Sequence, residues 1–183
     1  MKSLKDQLEA TRFERAKEIA ESLAEHRALL TTAELARINT IITGKGTAKG
    51  QDSVERLGED PQIWRRETTT ITLPGGRKET LALIVDPVLT AREKLHRATE
   101  LAESGSALDA GVAVYIGLVL AHVFLDANRR TAALAAHYFF RRYGLPLSGV
   151  ELHGLEIGDL REPKQLEELR ENVLKMVQKL GQK

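Results

Sequence analysis

Residues 107–131 read ALDAGVAVYIGLVLAHVFLDANRRT, and their reading decides the fold. From Ala107 to Leu125 only Asp109 and His122 are polar. By length the run is a membrane-span candidate. However, it is dense in Gly and Ala and passes directly into Asp126, Asn128, Arg129 and Arg130. A helix apolar on every side is more simply the central helix of a soluble domain, here expected from about Ala107 to Phe124. After a short polar loop, a second helix is expected from about Arg129 to Tyr143. Gly144 closes it and Pro146 prevents its return.

Working outward, the rest of the chain reads as more helices and one hairpin. Leu4, Leu8, Ile19 and Leu23, with Phe13, Ala16 and Ala20 between them, fall at helical spacing and predict a helix up to about Leu30. Thr31-Thr32-Ala33-Glu34 has the pattern of a capping box. It opens a helix through Leu35, Ile38, Ile41 and Ile42 that ends at Gly44. Residues 68–73 are β-branched and alternating, Pro74-Gly75-Gly76 is turn chemistry, and 79–85 is a second extended run, which together predict one hairpin over 68–85. Pro87 opens another helix, and Leu166, Leu169, Val173 and Met176 mark a last amphipathic one. The fold class expected is all-α with one β-hairpin flap. Its parts are a helical N-terminal segment (1–60), a core (61–160) and a C-terminal helix (161–183).

Composition narrows the function classes. The 183 residues are 42% hydrophobic and 29% charged, enough for one domain with a sizeable core. Lys plus Arg is 27 and Asp plus Glu is 26, giving a net charge of +1. This argues against nucleic-acid binding or membrane attachment by bulk charge. The absence of Cys excludes disulfides, a thiolate nucleophile and Cys-ligated metals, and fits a reducing cytoplasm. The charged stretch from Met1 to Glu25 lacks the apolar run of a secretory signal. A cytoplasmic location is expected.

The candidate site is the junction of the two central helices. A helix N-terminus offers unpaired N–H groups and partial positive charge to an anion. Asn128 is placed to cap, and Arg129 and Arg130 stand at the mouth to bind phosphate. Asp126 is the one nearby carboxylate for Mg²⁺, and His122 has the near-neutral pKa of a general base. The Gly-, Lys- and Thr-rich stretch 44–53 does not have P-loop spacing and follows a helix, so it reads as a loop. His137 reads as a packed side chain. His26, His96 and His153 lack metal-ligand partners. Trp64 with Arg65 and Arg66 reads as a cluster at a domain edge or a nucleobase contact.

His122-x-Phe124-x-Asp126-Ala127-Asn128-Arg129-Arg130-Thr131 resembles the signature of the Fic/Doc (Fido) family, His-x-Phe-x-Asp/Glu-Gly/Ala-Asn-Gly/Lys-Arg. The order of elements from Thr68 to Tyr143, a hairpin flap followed by helices on both sides of the motif loop, is similar to that family as well. The resemblance implies a transferase that moves a phosphate-containing group from a nucleotide such as ATP to a hydroxyl of a target protein, with Mg²⁺. It implies His122 as base, Phe124 as loop anchor and Asp126 as metal ligand. Asn128, Arg129 and Arg130 would hold phosphate, and Thr70, Ile71 and Thr72 would dock the target by strand pairing.

Two departures resemble the phosphorylating Doc branch rather than the AMP-transferring one. Arg129 stands where AMP-transferring members have Gly and Doc has Lys, and Ala133 stands where a second motif Arg is usual. The helix ending Asn39-Thr40-Ile41-Ile42-Thr43-Gly44 resembles a degenerate inhibitory motif, Ser/Thr-x-x-x-Glu-Gly, with Thr43 at the Glu position. Loss of that Glu and of its Arg partner are mutually consistent, and a separate antitoxin or regulatory protein is the partner they imply. The competing expectations are a non-catalytic binding module on the same fold and a metal-dependent hydrolase using His122 and Asp126.

Overall fold

In the computed structural model, residues 3–45, 63–73, 75–155 and 158–180 are described. Residues 46–53 of the loop expected over 44–53, Pro74 of the expected turn and residues 181–183 of the expected C-terminal helix lie outside them. In chain order the elements are α1 (Leu4–Glu25), α2 (Thr32–Thr43), β1 (Thr69–Thr72), β2 (Lys78–Leu81), α3 (Pro87–Glu103), α4 (Ala107–Ala121), α5 (Asn128–Arg142), α6 (Gly149–Gly154) and α7 (Pro163–Leu180). The expected class, helices with one hairpin, is the observed one.

The helices begin where local chemistry allows. Ser3 and Asp6 form a full capping box at α1. At α2 the Thr31 hydroxyl accepts from Glu34 N at 3.2 Å, while the Glu34 carboxylate meets Arg37 at 3.4 Å. Asp86 caps α3 ahead of Pro87. α1 ends at Glu25 rather than near Leu30. Arg27 takes a left-handed conformation (φ 54°) and turns the chain, and Tyr138 donates to Ala28 O at 2.7 Å to hold the turn.

α4 and α5 are the central pair. Ala132–Ala136 and Tyr138–Phe140 of α5 are buried, as are Ala110, Val114, Tyr115 and Leu118 of α4. Gly111 makes the close approach possible, because a Cβ there would run into the Phe140 ring. α1 packs its Ala16, Ala20 and Ala24 stripe on α5, and α2, α3, α6 and α7 complete one core. At the start of α6, Gly149 lies against Ala133 O, a position that admits no side chain.

The expected extension of the central helix to Phe124 is corrected. α4 stops at Ala121, and residues 123–125 pair antiparallel with 63–65. Arg65 N donates to Val123 O at 2.8 Å and Leu125 N to Ile63 O at 3.0 Å. Trp64 stacks on Phe124 with ring centroids 4.7 Å apart, both fully buried. This places Trp64 in the core and overturns its reading as a nucleobase contact. The hairpin is also shorter than 68–85. It has four-residue strands in the register Thr69↔Leu81 to Thr72↔Lys78, and Leu83 and Val85 are exposed beyond it. No helix among the described residues is long and apolar enough to cross a membrane.

His137 is buried where α1, α5 and α6 meet. Its Nδ1 accepts from Gly149 N at 3.2 Å, so Nε2 carries the proton and donates to Glu21 at 3.0 Å. Burial lowers its pKa against the opposing pull of Glu21. A base whose folded pKa lies below its ordinary value near 6.5 contributes stability that is present above that value and lost as pH falls through the folded pKa. Chemical denaturation should show a midpoint that falls from pH 7 to pH 5. His137→Gln should flatten the part of the decline nearest pH 6.

Candidate functional site

The loop joining α4 and α5 runs between two non-glycine residues in the left-handed region, His122 (φ 51°) and Ala127 (φ 56°). Each costs about 1–2 kcal/mol, so the loop must be held from outside. Asn128 does most of this. Its Oδ1 accepts from Phe124 N and its Nδ2 donates to Phe124 O, both at 2.9 Å, closing a ring around the anchor residue. Asn39 of α2 donates to Asp126 O at 2.9 Å and to Thr131 Oγ1 at 3.0 Å. Arg65 Nε donates to His122 O at 2.7 Å.

The expectation that Asn128 caps the helix is therefore corrected. Ala127, not Asn128, is the residue preceding the helix, and no side chain caps α5. The Asn128 side chain is buried, and each end of its amide bonds Phe124. The uncapped first turn of α5 still offers its backbone N–H groups to an anion.

His122 is half-buried. Its Nδ1 lies 3.1 Å from Val119 O, an acceptor that requires the proton on Nδ1 and leaves the Nε2 lone pair as the basic one. Desolvation is the largest influence on its pKa and lowers it. The Val119 bond opposes this, and the charges of Arg65 and Arg129 add to the lowering. The neutral, proton-accepting form thus prevails at pH 7.

The two arginines diverge. Arg129 lines a cavity of about 530 Å³ together with His122, Val119 and Leu120, the hairpin residues Ile71, Thr72, Leu73 and Leu81, and the segment Gly158–Arg161. It makes no ion pair among the described residues. Arg130 turns the other way, to Glu9 of α1 at 3.6 Å. Asp126 is exposed. Its Oδ1 accepts from Ala127 N at 2.6 Å and its Oδ2 lies 3.9 Å from Lys45 Nζ. No group of three or more His, Cys, Asp or Glu able to hold a metal occurs among the described residues. A cation at Asp126 would have one carboxylate from this loop and would take its other ligands from phosphate and water, which is the usual pattern for Mg²⁺.

The flap residues Ile71 and Thr72 reach the cavity, whereas Thr70 faces outward beside Thr80 at 3.4 Å. Asn39, at the start of the degenerate inhibitory motif, is docked on the motif loop. Thr43 Oγ1 turns back to Asn39 O at 3.0 Å, and Gly44 is left-handed (φ 67°) with Arg12 against it. Sequence reasoning missed two contributors, Asp159 and Arg161, which wall the cavity. His153, read as lacking metal-ligand partners, packs on Phe13 with its Nδ1 unpartnered. Arg161 and Asp159 lie in a short charged turn without a motif, so no signal marked them.

No family model matches the sequence, and no curated protein is similar to it. Among solved structures, the chain is similar to a crystal structure of a Fic domain-containing signalling protein from Bacteroides thetaiotaomicron. The TM-score is 0.59 and the identity 18%, with 84% of this chain covered. The match spans 58% of that protein's length. The fold of this chain is that of a Fic domain.

If the Asn128 ring holds the loop, Asn128→Ala leaves the buried N–H and C=O of Phe124 unsatisfied. Each such group costs about 1–3 kcal/mol. Urea denaturation should show a loss of at least ~2 kcal/mol, and Asn128→Asp, which sets a carboxylate oxygen against Phe124 O, should not recover it.

Proposed function

We propose that this chain is a transferase that moves a phosphate-containing group from a nucleotide such as ATP to a side-chain hydroxyl of a target protein. The observation that carries this reading is the pairing of His122 and Arg129 in one cavity. A neutral imidazole with its Nδ1 proton held by Val119 sits there beside a cation and the uncapped start of α5. The hydroxyl proton passes to His122 Nε2 as the hydroxyl oxygen bonds to phosphorus, and the bond from that phosphorus to the leaving phosphate breaks. Arg129 and the first N–H groups of α5 balance charge on the transferring group. Asp126 would hold Mg²⁺, which when bound neutralises phosphate oxygens. Its pair with Lys45 is long and exposed, so it yields readily.

Two donor geometries fit this scheme. Attack on the γ-phosphorus releases ADP and leaves a phosphoryl group, whereas attack on the α-phosphorus releases pyrophosphate and leaves AMP. Arg129 favours the phosphoryl branch, because a long cation beside the base fills space that a glycine would leave open. Mass spectrometry of a lysate incubated with the protein and MgATP decides. A gain of phosphate or of AMP supports transfer, and no gain on any protein supports the non-catalytic binding module.

His122→Ala should abolish transfer while MgATP affinity stays within a few-fold. In the unsubstituted chain the lowered His122 pKa keeps the base unprotonated as pH falls through 6.5. The acid limb of the rate profile should therefore lie below about pH 6.5. A limb centred above pH 7 would assign the base elsewhere.

The degenerate motif on α2 brings no carboxylate to the site, so restraint of the free chain would fall to a separate regulatory protein. Glu9 is the acidic residue that does face a motif arginine. Deleting the first 44 residues would also strip Ala16, Ala20, Leu35, Ile38 and Ile42 from the core, so a point substitution is the cleaner test. Glu9→Gln should free Arg130 and strengthen MgATP binding, read by titration calorimetry. A part-exposed pair is worth up to ~1 kcal/mol, so the gain should be no more than about fivefold. In the Glu9→Gln background, Arg130→Ala should remove that gain.

A further inference from the structure

The hairpin is attached at its base and at one other place. At the base, Arg65 donates to Glu67 O and Ala82 O, one carbonyl on each leg, at 2.9 and 2.8 Å. Beyond it the two four-residue strands pair only with each other, and such a hairpin is marginal by itself in water. The outer attachment is ionic. Glu79 of β2 pairs with Arg161, and Arg77 of the turn lies 3.6 Å from Asp159. Asp159 and Arg161 are themselves joined, NH2 to Oδ2 at 2.6 Å and Nε to Oδ1 at 2.8 Å. Gly158 N donates to Gln165 Oε1 at 2.8 Å, which fixes this turn to the start of α7. No other side-chain hydrogen bond or ion pair among the described residues joins residues 69–81 to the rest of the molecule.

The four charges alternate in sign and bridge two otherwise separate elements. A lone surface pair contributes little, but a two-bonded arginine–carboxylate contact within a network is the arrangement that does contribute. Asp159 is the least exposed of the four, with 13% of its side chain accessible, and its pKa is pulled down to about 2, chiefly by the bond from Arg161. The strap therefore stays charged across the physiological range. Beneath it lies the cavity that holds His122 and Arg129, with Ile71, Leu73 and Leu81 as its hairpin wall.

We propose that Arg161 and Asp159 are positioning residues: strapped to Glu79 and Arg77, they hold the outer hairpin over the cavity and so fix the wall against which a nucleotide is bound. The strap itself follows from the ion pairs, and only its consequence for the nucleotide rests on the transferase reading. Neither residue needs to touch the reacting atoms.

Hydrogen–deuterium exchange on the full chain tests the strap, and titration of MgATP tests its consequence. Arg161→Gln should speed exchange of the amides in 69–81 about tenfold and weaken MgATP binding by a similar factor. The melting temperature should move little, because the network is at the surface. Arg161→Lys, which keeps a cation between Asp159 and Glu79, should retain most of both the slow exchange and the affinity, which a loss of general stability would not allow. Unchanged hairpin exchange in Arg161→Gln overturns the strap. Faster exchange with unchanged MgATP affinity overturns its role in positioning the wall. If the unsubstituted chain does not bind MgATP at all, the transferase reading fails, while exchange and its retention in Arg161→Lys still decide whether the strap exists.

Discussion

A buried guanidinium holds the site together. Arg65 is 3% exposed and spends its donors on backbone carbonyls, His122 O at the end of α4 and Glu67 O and Ala82 O on the two legs of the hairpin. Burying such a charge without a carboxylate is expensive unless its donors are satisfied, and three carbonyl dipoles satisfy them here. The arrangement ties three parts of the chain to one point, and without it neither the hairpin base nor the end of α4 is fixed. The same charge lies beside the His122 ring and helps to hold its pKa down. One residue thus builds the site and tunes its base.

The turn at His122 follows from the same economy. A helix end leaves carbonyls without partners. Here Arg65 takes His122 O, and Arg65 N takes Val123 O through the short antiparallel pairing. With the chain end of α4 so engaged, a left-handed residue at 122 is tolerated. It brings the imidazole back over the last turn, where Val119 O fixes its tautomer. Strain in the backbone and definition of the proton acceptor are two aspects of one local geometry.

Much of this was legible in the sequence, because it depends on periodicity and on short-range chemistry. The apolar run of 107–125 and the alternation in 68–73 announce helix and strand, and Gly144 and Thr31 mark ends. What was not legible depends on distant partners. Nothing near Phe124 says that the helix must stop three residues earlier, since the competing strand is at 63–65. Asn128 looks like a helix cap until the backbone of Phe124 is seen folded onto its amide. Arg65 reads only as part of a cluster with Trp64 and Arg66 at a domain edge or on a nucleobase. Asp159 and Arg161 gain meaning only from Glu79 and Arg77, some eighty residues earlier.

The positions of the two arginines follow from helical geometry. Consecutive residues on α5 are about 100° apart, so Arg129 and Arg130 cannot face the same side. Arg129 takes the hairpin side and the cavity, and Arg130 takes the side covered by α1, where Glu9 meets it. One turn further along, Ala133 occupies the position where the resemblance expects another arginine. It is fully buried, and the backbone of Gly149 is pressed against its carbonyl. An arginine there would bury an unpaired charge in the α5–α6 contact. At this position apolar packing stands where the resemblance would place a charge. Ala133 is sealed under α6 and Thr43 is turned back onto its own helix, while α2 holds the loop through Asn39, which donates to Asp126 O and Thr131 Oγ1.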